Sequence, residues 1–283
     1  MPLRTLDVGY RNKKVHFEMD LDLNDPNEEW MNRYFIANKC YEQEIAFVML
    51  RALREGDTVV DVGANVGFFT LFMSSAVGVT GHVMAFEPAS NVLPGLRRNL
   101  SLNSGSINIE VYEQALWSCE EKRTFWLNAD SRGSNCLWDP GLWKESALSR
   151  ANPNFSEITT TTLDAALGHR PVRLLKIDTE GAEQKILQGA QNILQRQKPP
   201  FIIVELNPFG ANQFGDSNES VRAFMRDFGY EIFLLDQGGA IPAMVPHKTE
   251  IVNMNDCVVM NVMFSTLDAV AEIYPQAPFE RTL

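Results

Sequence analysis

Residues able to do chemistry stand in four blocks, and the first is Thr58-Val59-Val60-Asp61-Val62-Gly63-Ala64-Asn65-Val66-Gly67-Phe68. A β-branched apolar run ends in Asp61, turns through Gly63 and Gly67, and opens an apolar helix from Phe68 to about Val77. Glycines let a backbone pass close to a ligand, and a helix N-terminus offers free N–H groups and a positive dipole end. A nucleotide-like cofactor suits such a turn. The spacing is Asp-x-Gly-x-x-x-Gly and lacks the third glycine of pyrophosphate-binding turns. The Asp61 carboxylate would repel a pyrophosphate and welcome an ammonium or sulfonium group, and S-adenosylmethionine carries both.

The second block is Phe86-Glu87-Pro88, with Glu87 26 residues beyond Asp61. A carboxylate there can accept both hydroxyls of a ribose. The third is Glu113-Gln114-Ala115-Leu116, where the Gln114 amide and the Ala115 backbone would meet an adenine edge. The fourth, Lys176-Ile177-Asp178-Thr179-Glu180-Gly181-Ala182-Glu183, is the densest set of ionisable groups. Alternation along a strand puts Lys176 and Asp178 on one side. Asp178 and Glu180 could take a proton from an acceptor hydroxyl, and Asp178 could instead hold a cofactor ammonium. Glu183 reads as a helix-dipole partner. Glu205, a further candidate catalytic carboxylate, and Asn207 follow at another strand end; with Asp178 they would form the ligand set of a less favoured Mg²⁺-assisted variant. Of four histidines, only His247, in the loop before the last strand, could overhang the site as a catalytic group. No Ser or Cys stands where covalent catalysis needs it.

These blocks need elements to hold them. Short apolar strands (about Val59–Asp61, Val83–Phe86, Ile107–Tyr112, Arg173–Ile177, Phe201–Val204, Glu231–Leu235 and Val258–Phe264) alternate with helices over Cys40–Leu53, Asn91–Leu102 capped by Ser90, Ala182–Gln195 and Glu219–Phe228. That pattern predicts an α/β fold: a doubly wound, mostly parallel, seven-stranded sheet with a reversed last strand. Ligands of such sheets sit at the carboxyl ends of the strands. Residues 1–56 are read as an N-terminal cap, irregular over 1–36 apart from a short hairpin near Val8–Met19. Residues 57–283 form the main domain. An insert at about 117–160 holds Trp117, Trp126, Trp138 and Trp143, either as a substrate wall or as a sheet extension packed by its own aromatics. Within it, Thr124–Leu127 and Asn135–Trp138 read as a hairpin and Ile158–Leu163 as a strand.

Composition narrows the partners. The chain has 283 residues, 45% of them hydrophobic, and a net charge of −11, with a pI near 4.9. There is no basic stripe for nucleic acid, no run approaching the ~20 apolar residues of a membrane span, and no Cys-x-x-Cys. The expectation is a cytoplasmic protein acting on a small molecule, without nucleic-acid or membrane partners, and open to homo-oligomer formation.

With Asp61 to Gly67, Phe86-Glu87-Pro88, Asn99-x-x-x-Asn103, Ala115-Leu116 and Lys176 to Glu183 in place, the chain resembles the FkbM-type methyltransferases. The match runs from about Tyr41-Glu42 through Asn207, and Lys176 to Glu183 is its specific part. The resemblance implies the Rossmann-like class I fold and methyl transfer from S-adenosylmethionine, usually to a hydroxyl of a sugar, polyketide or other secondary metabolite. Three rivals stand beside it: an N-methyltransferase, an NAD-dependent oxidoreductase, and an S-adenosylmethionine-binding partner without catalysis. Against the oxidoreductase count the missing third glycine and the absence of a Tyr-x-x-x-Lys pair after the glycine turn.

Overall fold

The structure, a computed structural model, describes residues 2–10, 13–37, 39–103, 105, 108–235, 242–245 and 259–275. The central sheet begins with β3 (Thr58–Val62), and its neighbours follow by helical crossovers, after an N-terminal segment of β1 (Leu3–Tyr10), β2 (Lys13–Asp20), α1 (Pro26–Ile36) and α2 (Gln43–Ala52). α3 (Phe68–Val77) leads to β4 (His82–Phe86), and α4 (Leu93–Leu102) to β5 (Ile109–Tyr112). After the insert come β9 (Leu174–Ile177), α7 (Glu183–Gln188), β10 (Phe201–Leu206), α8 (Pro208–Asn212), α9 (Asn218–Asp227), β11 (Glu231–Leu234), β12 (Ala243–Met244), β13 (Met260–Ser265) and α10 (Leu267–Ile273). The insert itself carries β6 (Ala115–Leu116), β7 (Lys122–Trp126), α5 (Ala147–Ala151), β8 (Phe155–Thr161) and α6 (Leu163–Leu167).

Across the sheet the order is β5-β4-β3-β9-β10-β13-β11-β12. The pairs among β5, β4, β3, β9 and β10 are parallel, and β13 runs antiparallel between β10 and β11. The expected reversed strand is therefore present, and the two-residue β12 adds an eighth at the edge. The order in which strands are added reverses between β3 and β9, which leaves a crevice beyond their carboxyl ends. Register sets Asp61 beside Lys176 and aligns Val62, Ile177 and Val204 at one level. These central strands are buried on both faces, which explains their nearly unbroken apolar runs.

The N-terminal segment is more ordered than its polar composition suggests. β1 and β2 pair over their whole length, and α1 was not expected at all. Asp25 caps α1 by accepting the N–H groups of Asn27 and Glu28, and Pro26 holds the first position. Val15, Phe17 and Met19 of β2 join the main core, where Phe17 meets Phe68 edge-on at 5.5 Å. The outer edge of β2 is closed by helices. Its N–H groups at His16, Glu18 and Asp20 donate to Ser75, Asn103 and Asn99 side chains of α3, the end of α4 and α4. Asn99-x-x-x-Asn103 thus acts as a strand edge built from side-chain amides.

Several boundaries differ from expectation. α4 begins at Leu93 with Val92 in the cap position, so Ser90 caps nothing. The helix expected over Ala182–Gln195 breaks after α7, at Gly189, where an added Cβ would lie 2.2 Å from the Trp117 carbonyl; a π turn follows at Ile193–Gln197. In the insert, Trp126 and Cys136 form a single antiparallel bridge. The ladder of β7 runs instead along β8.

Candidate functional site

A cavity of about 200 Å³ opens at the carboxyl ends of β3, β4, β9 and β10. Asp61, Gly63, Ala64, Asn65, Glu87, Pro88, Gln114, Ala115, Asp178, Glu180 and Glu205 all line it. Gly67 does not, and Asn207 lines only a neighbouring cavity. His247 lies outside the described residues.

The glycine turn is shaped by the chain itself. Gly63 has φ +83°, and a Cβ there would sit 1.8 Å from the Asp178 carbonyl oxygen. Gly67 has φ +94°, and its Cβ would meet Leu96 Cδ1 at 2.8 Å. These glycines let β3 and α3 pack against β9 and α4, a requirement of the fold before that of any ligand. Asn65 occupies the left-handed region at φ +49°. Its N–H donates to Glu87 Oε2 at 2.8 Å, and Ala89 N–H donates to Oε1 at 2.9 Å. Glu87 therefore braces both turns of the cavity floor. Burial pushes its carboxyl up to about 7 in spite of those two N–H groups.

Asp61 lies inside β3 and is almost fully buried. Its Oδ2 accepts from the Thr70 hydroxyl at 2.6 Å, and Oδ1 has no hydrogen-bond partner among the described residues. A second unpartnered oxygen on this cavity belongs to Glu42, a residue the sequence reading left without a role. Glu42 sits at φ +43° just before α2; burial and then the charge of Asp178 raise its carboxyl to about 7. Lys176 runs between these acids. Its Nζ donates to Asp178 Oδ2 at 2.8 Å and lies 4.9 Å from the centre of the Phe69 ring. Burial pulls Lys176 down, yet Asp178, Asp61 and Glu42 together outweigh it and hold the ammonium above the ordinary lysine value. The alternation of Lys176 with Asp178 was the signal for this pair. Glu42 offered none.

The turn after β9 is locked from below. Glu183 Oε1 accepts from Thr179 N–H, Thr179 Oγ1 and Gly181 N–H at 2.9–3.1 Å, so it fixes the loop more than it serves a helix dipole. Glu180 is left-handed at φ +57°, its carbonyl accepts the Trp138 indole N–H at 2.6 Å, and its Oε2 accepts the Asn207 amide at 2.7 Å. Burial, then the Asp178 charge, raise its carboxyl to about 7. Glu205 is raised well above the carboxylate range, by burial first and then by Asp178, Glu180 and Glu42. Asn207 spends its other end on the Gly210 N–H at the start of α8. Among the described residues no three His, Cys, Asp or Glu side chains gather to hold a metal ion. With both ends of its amide committed, Asn207 is a poor third ligand for the Mg²⁺ variant.

The roof comes from the N-terminal segment and the insert. Asn27, Met31 and Tyr41 line the cavity together with Arg132 and Gly133, and a Cβ on Gly133 would lie 1.8 Å from Asn27 Nδ2. Arg132 pairs with Asp22, Asp25 and Glu28 at 2.8–3.2 Å. The four tryptophans divide. Trp126 packs inside the extension on Phe155, and Trp117 packs against Phe214, between α8 and α9 of the main domain. Trp138 and Trp143 line the neighbouring cavity.

A sequence model of the family described as "Methyltransferase FkbM domain" matches residues 61–232, more than half of the chain. "Methyltransferase 1" of Beauveria bassiana is 24% identical over 174 residues, 57% of this chain and 66% of that protein. "31-O-demethyl-FK506 methyltransferase FkbM" of Streptomyces tacrolimicus is 28% identical over 201 residues, 60% of this chain and 71% of that protein. A crystal structure of methyltransferase FkbM from Methylobacillus flagellatus superposes with a TM-score of 0.46 at 15% identity, over 75% of this chain and 44% of that one. The chain thus spans just under two thirds of the Beauveria protein and less than half of the Methylobacillus one.

Proposed function

The chain belongs to the FkbM methyltransferase family, and from that premise we propose that it transfers a methyl group from S-adenosylmethionine to a hydroxyl of a small or medium-sized metabolite. One observation carries the cofactor: two unpartnered carboxylate oxygens, on Asp61 and Glu42, border a cavity whose floor is braced by Glu87. A buried carboxylate oxygen without a partner is costly, and a cofactor ammonium would satisfy it. Glu87 would take the ribose hydroxyls, Gln114 and Ala115 the adenine edge. A dinucleotide would bring a pyrophosphate against the same acids, which disfavours the oxidoreductase.

The cofactor supplies an electrophilic methyl group. The protein's part is to align an acceptor oxygen behind that carbon and to receive one proton. Asp178 is the proposed base. Its Oδ2 accepts from the Lys176 ammonium, which fixes the carboxylate in place, and the hydroxyl proton it would receive becomes acidic as the new C–O bond forms. Glu180 and Glu205, raised by their surroundings, can hold the acceptor by donating hydrogen bonds. The name of the Streptomyces relative, which refers to an O-demethyl acceptor, supports oxygen as the nucleophile. Calorimetric titration with S-adenosylhomocysteine and with NAD tests the reading: saturable binding of the first and none of the second is expected, and the reverse would overturn it.

A further inference from the structure

We propose that the neighbouring cavity seats a protonated or quaternary amine carried by the acceptor, so that the methylated hydroxyl belongs to a cationic molecule of amino-alcohol or amino-sugar type. The proposal rests on the methyl-transfer reading for the hydroxyl and on a separate set of residues for the cation. This second cavity, of about 380 Å³, shares Glu180 and Glu205 with the first as a common wall. Three rings form its apolar side. Phe209 meets Trp138 at 5.3 Å and 64°, and Trp143 at 4.5 Å and 79°, a corner of nearly perpendicular rings. Trp138 is held in place by its indole bond to the Glu180 carbonyl, and Phe209 by its position in the first turn of α8 behind the Asn207 cap.

The polar side is acidic. Asp130 and Glu145 join Glu180 and Glu205, and no Lys or Arg is among the described residues that line the space. Asp130 spends its carboxylate on the N–H groups of Leu148 and Ser149. Glu205 has no hydrogen-bond or ion-pair partner among the described residues and lines both cavities. The first cavity, by contrast, contains its own cations, Lys176 and Arg132. Ring faces attract a cation through their quadrupole, and a cation seated there would favour the ionised form of Glu205, which burial and its acid neighbours otherwise oppose. An anionic acceptor would meet four acids, and a neutral one would leave Glu205 unpaired.

Choline and its neutral isostere 3,3-dimethylbutan-1-ol test this directly, because they share a shape and differ in charge. The choline nitrogen is already quaternary, so binding is read apart from any transfer to nitrogen. Titrated calorimetrically into the full chain, with and without S-adenosylhomocysteine, choline is expected to bind about tenfold more tightly than the isostere. Trp143→Leu and Glu205→Gln should each erase most of that preference while circular dichroism stays unchanged. Equal binding of the two probes, or binding of neither, overturns the proposal. Trp143→Leu, on an intermediate-depth surface away from the sheet core, keeps the test meaningful should Glu205→Gln fold poorly. S-adenosylhomocysteine binding without a choline preference would sink this inference alone. A choline preference without S-adenosylhomocysteine binding would sink the methyl-transfer reading and leave the cation site standing.

Discussion

At Glu87 each carboxylate oxygen already holds one backbone N–H, from Asn65 and Ala89, and keeps a second lone pair for a ribose hydroxyl. Glu87→Gln leaves only one acceptor oxygen for these partners. Affinity for S-adenosylhomocysteine should fall at least about tenfold, since charge-assisted bonds contribute roughly 1.5–3 kcal/mol each; unchanged affinity in calorimetry would refute the assignment. Glu42, Glu87, Glu180 and Glu183 share another property: burial raises each from 4.5 to about 7. A carboxyl raised in the fold binds its proton more tightly there than in the unfolded chain. Stability from these groups is complete below about 4.5 and declines as pH rises toward 7. The melting temperature of the ligand-free protein should therefore fall between pH 5.5 and pH 8. Cofactor binding, which favours the ionised acids, should release protons, seen as a calorimetric enthalpy that varies with buffer ionisation. At the base itself, Asp178→Asn should lower kcat about a hundredfold or more, with S-adenosylhomocysteine affinity much less affected. EDTA should leave activity unchanged; loss on chelation and recovery with Mg²⁺ would restore the metal variant.

The strand-and-turn unit around Gly63 makes a prediction about packing. A side chain at Gly63 must adopt a left-handed backbone and collide with the Asp178 carbonyl. Gly63→Ala should cost about 3 kcal/mol or more in urea unfolding. Gly215→Ala is a control: it has φ +74° with nothing within 4 Å, so about 1–2 kcal/mol is expected from the backbone alone. Equal losses would show that φ, and not the close approach, sets the requirement. The same elements show what a sequence discloses. The parallel strands were legible because burial on both faces leaves long apolar runs between turns. The reversed strand was legible from the missing helix before it. α1 was not, since behind its capped start, Asp25-Pro26, the apolar Trp30 and Ile36 are exposed while Glu28 and Asn32 share the buried face with Met31 and Phe35. The hairpin extended beyond expectation because its partner is a helix pair, contributed by Ser75, Asn99 and Asn103, that no local pattern announces. At the site, Asp178 and Glu87 stood out as acids at strand ends. Glu42 was hidden, since only the three-dimensional path of the chain brings it to Asp61 and Lys176.

Over the whole molecule, the roof of the first cavity is held by charge: Arg132 from the insert against Asp22, Asp25 and Glu28 from the N-terminal segment. Arg132→Gln leaves three acids together without their cation and should cost on the order of 2 kcal/mol. Amide exchange should accelerate over Met31–Phe35, and S-adenosylhomocysteine should dissociate faster; unchanged exchange there would show that packing alone holds the roof. The closed edge of β2 bears on a different question, the order in which the chain takes shape. Its partners Asn99 and Asn103 lie 79 and 85 residues further along the sequence. During synthesis the hairpin leaves the ribosome ahead of α4, and it waits for that helix before its free N–H groups are covered. Until then it presents an adhesive strand. The hairpin is thus made before α4 and finished only with it.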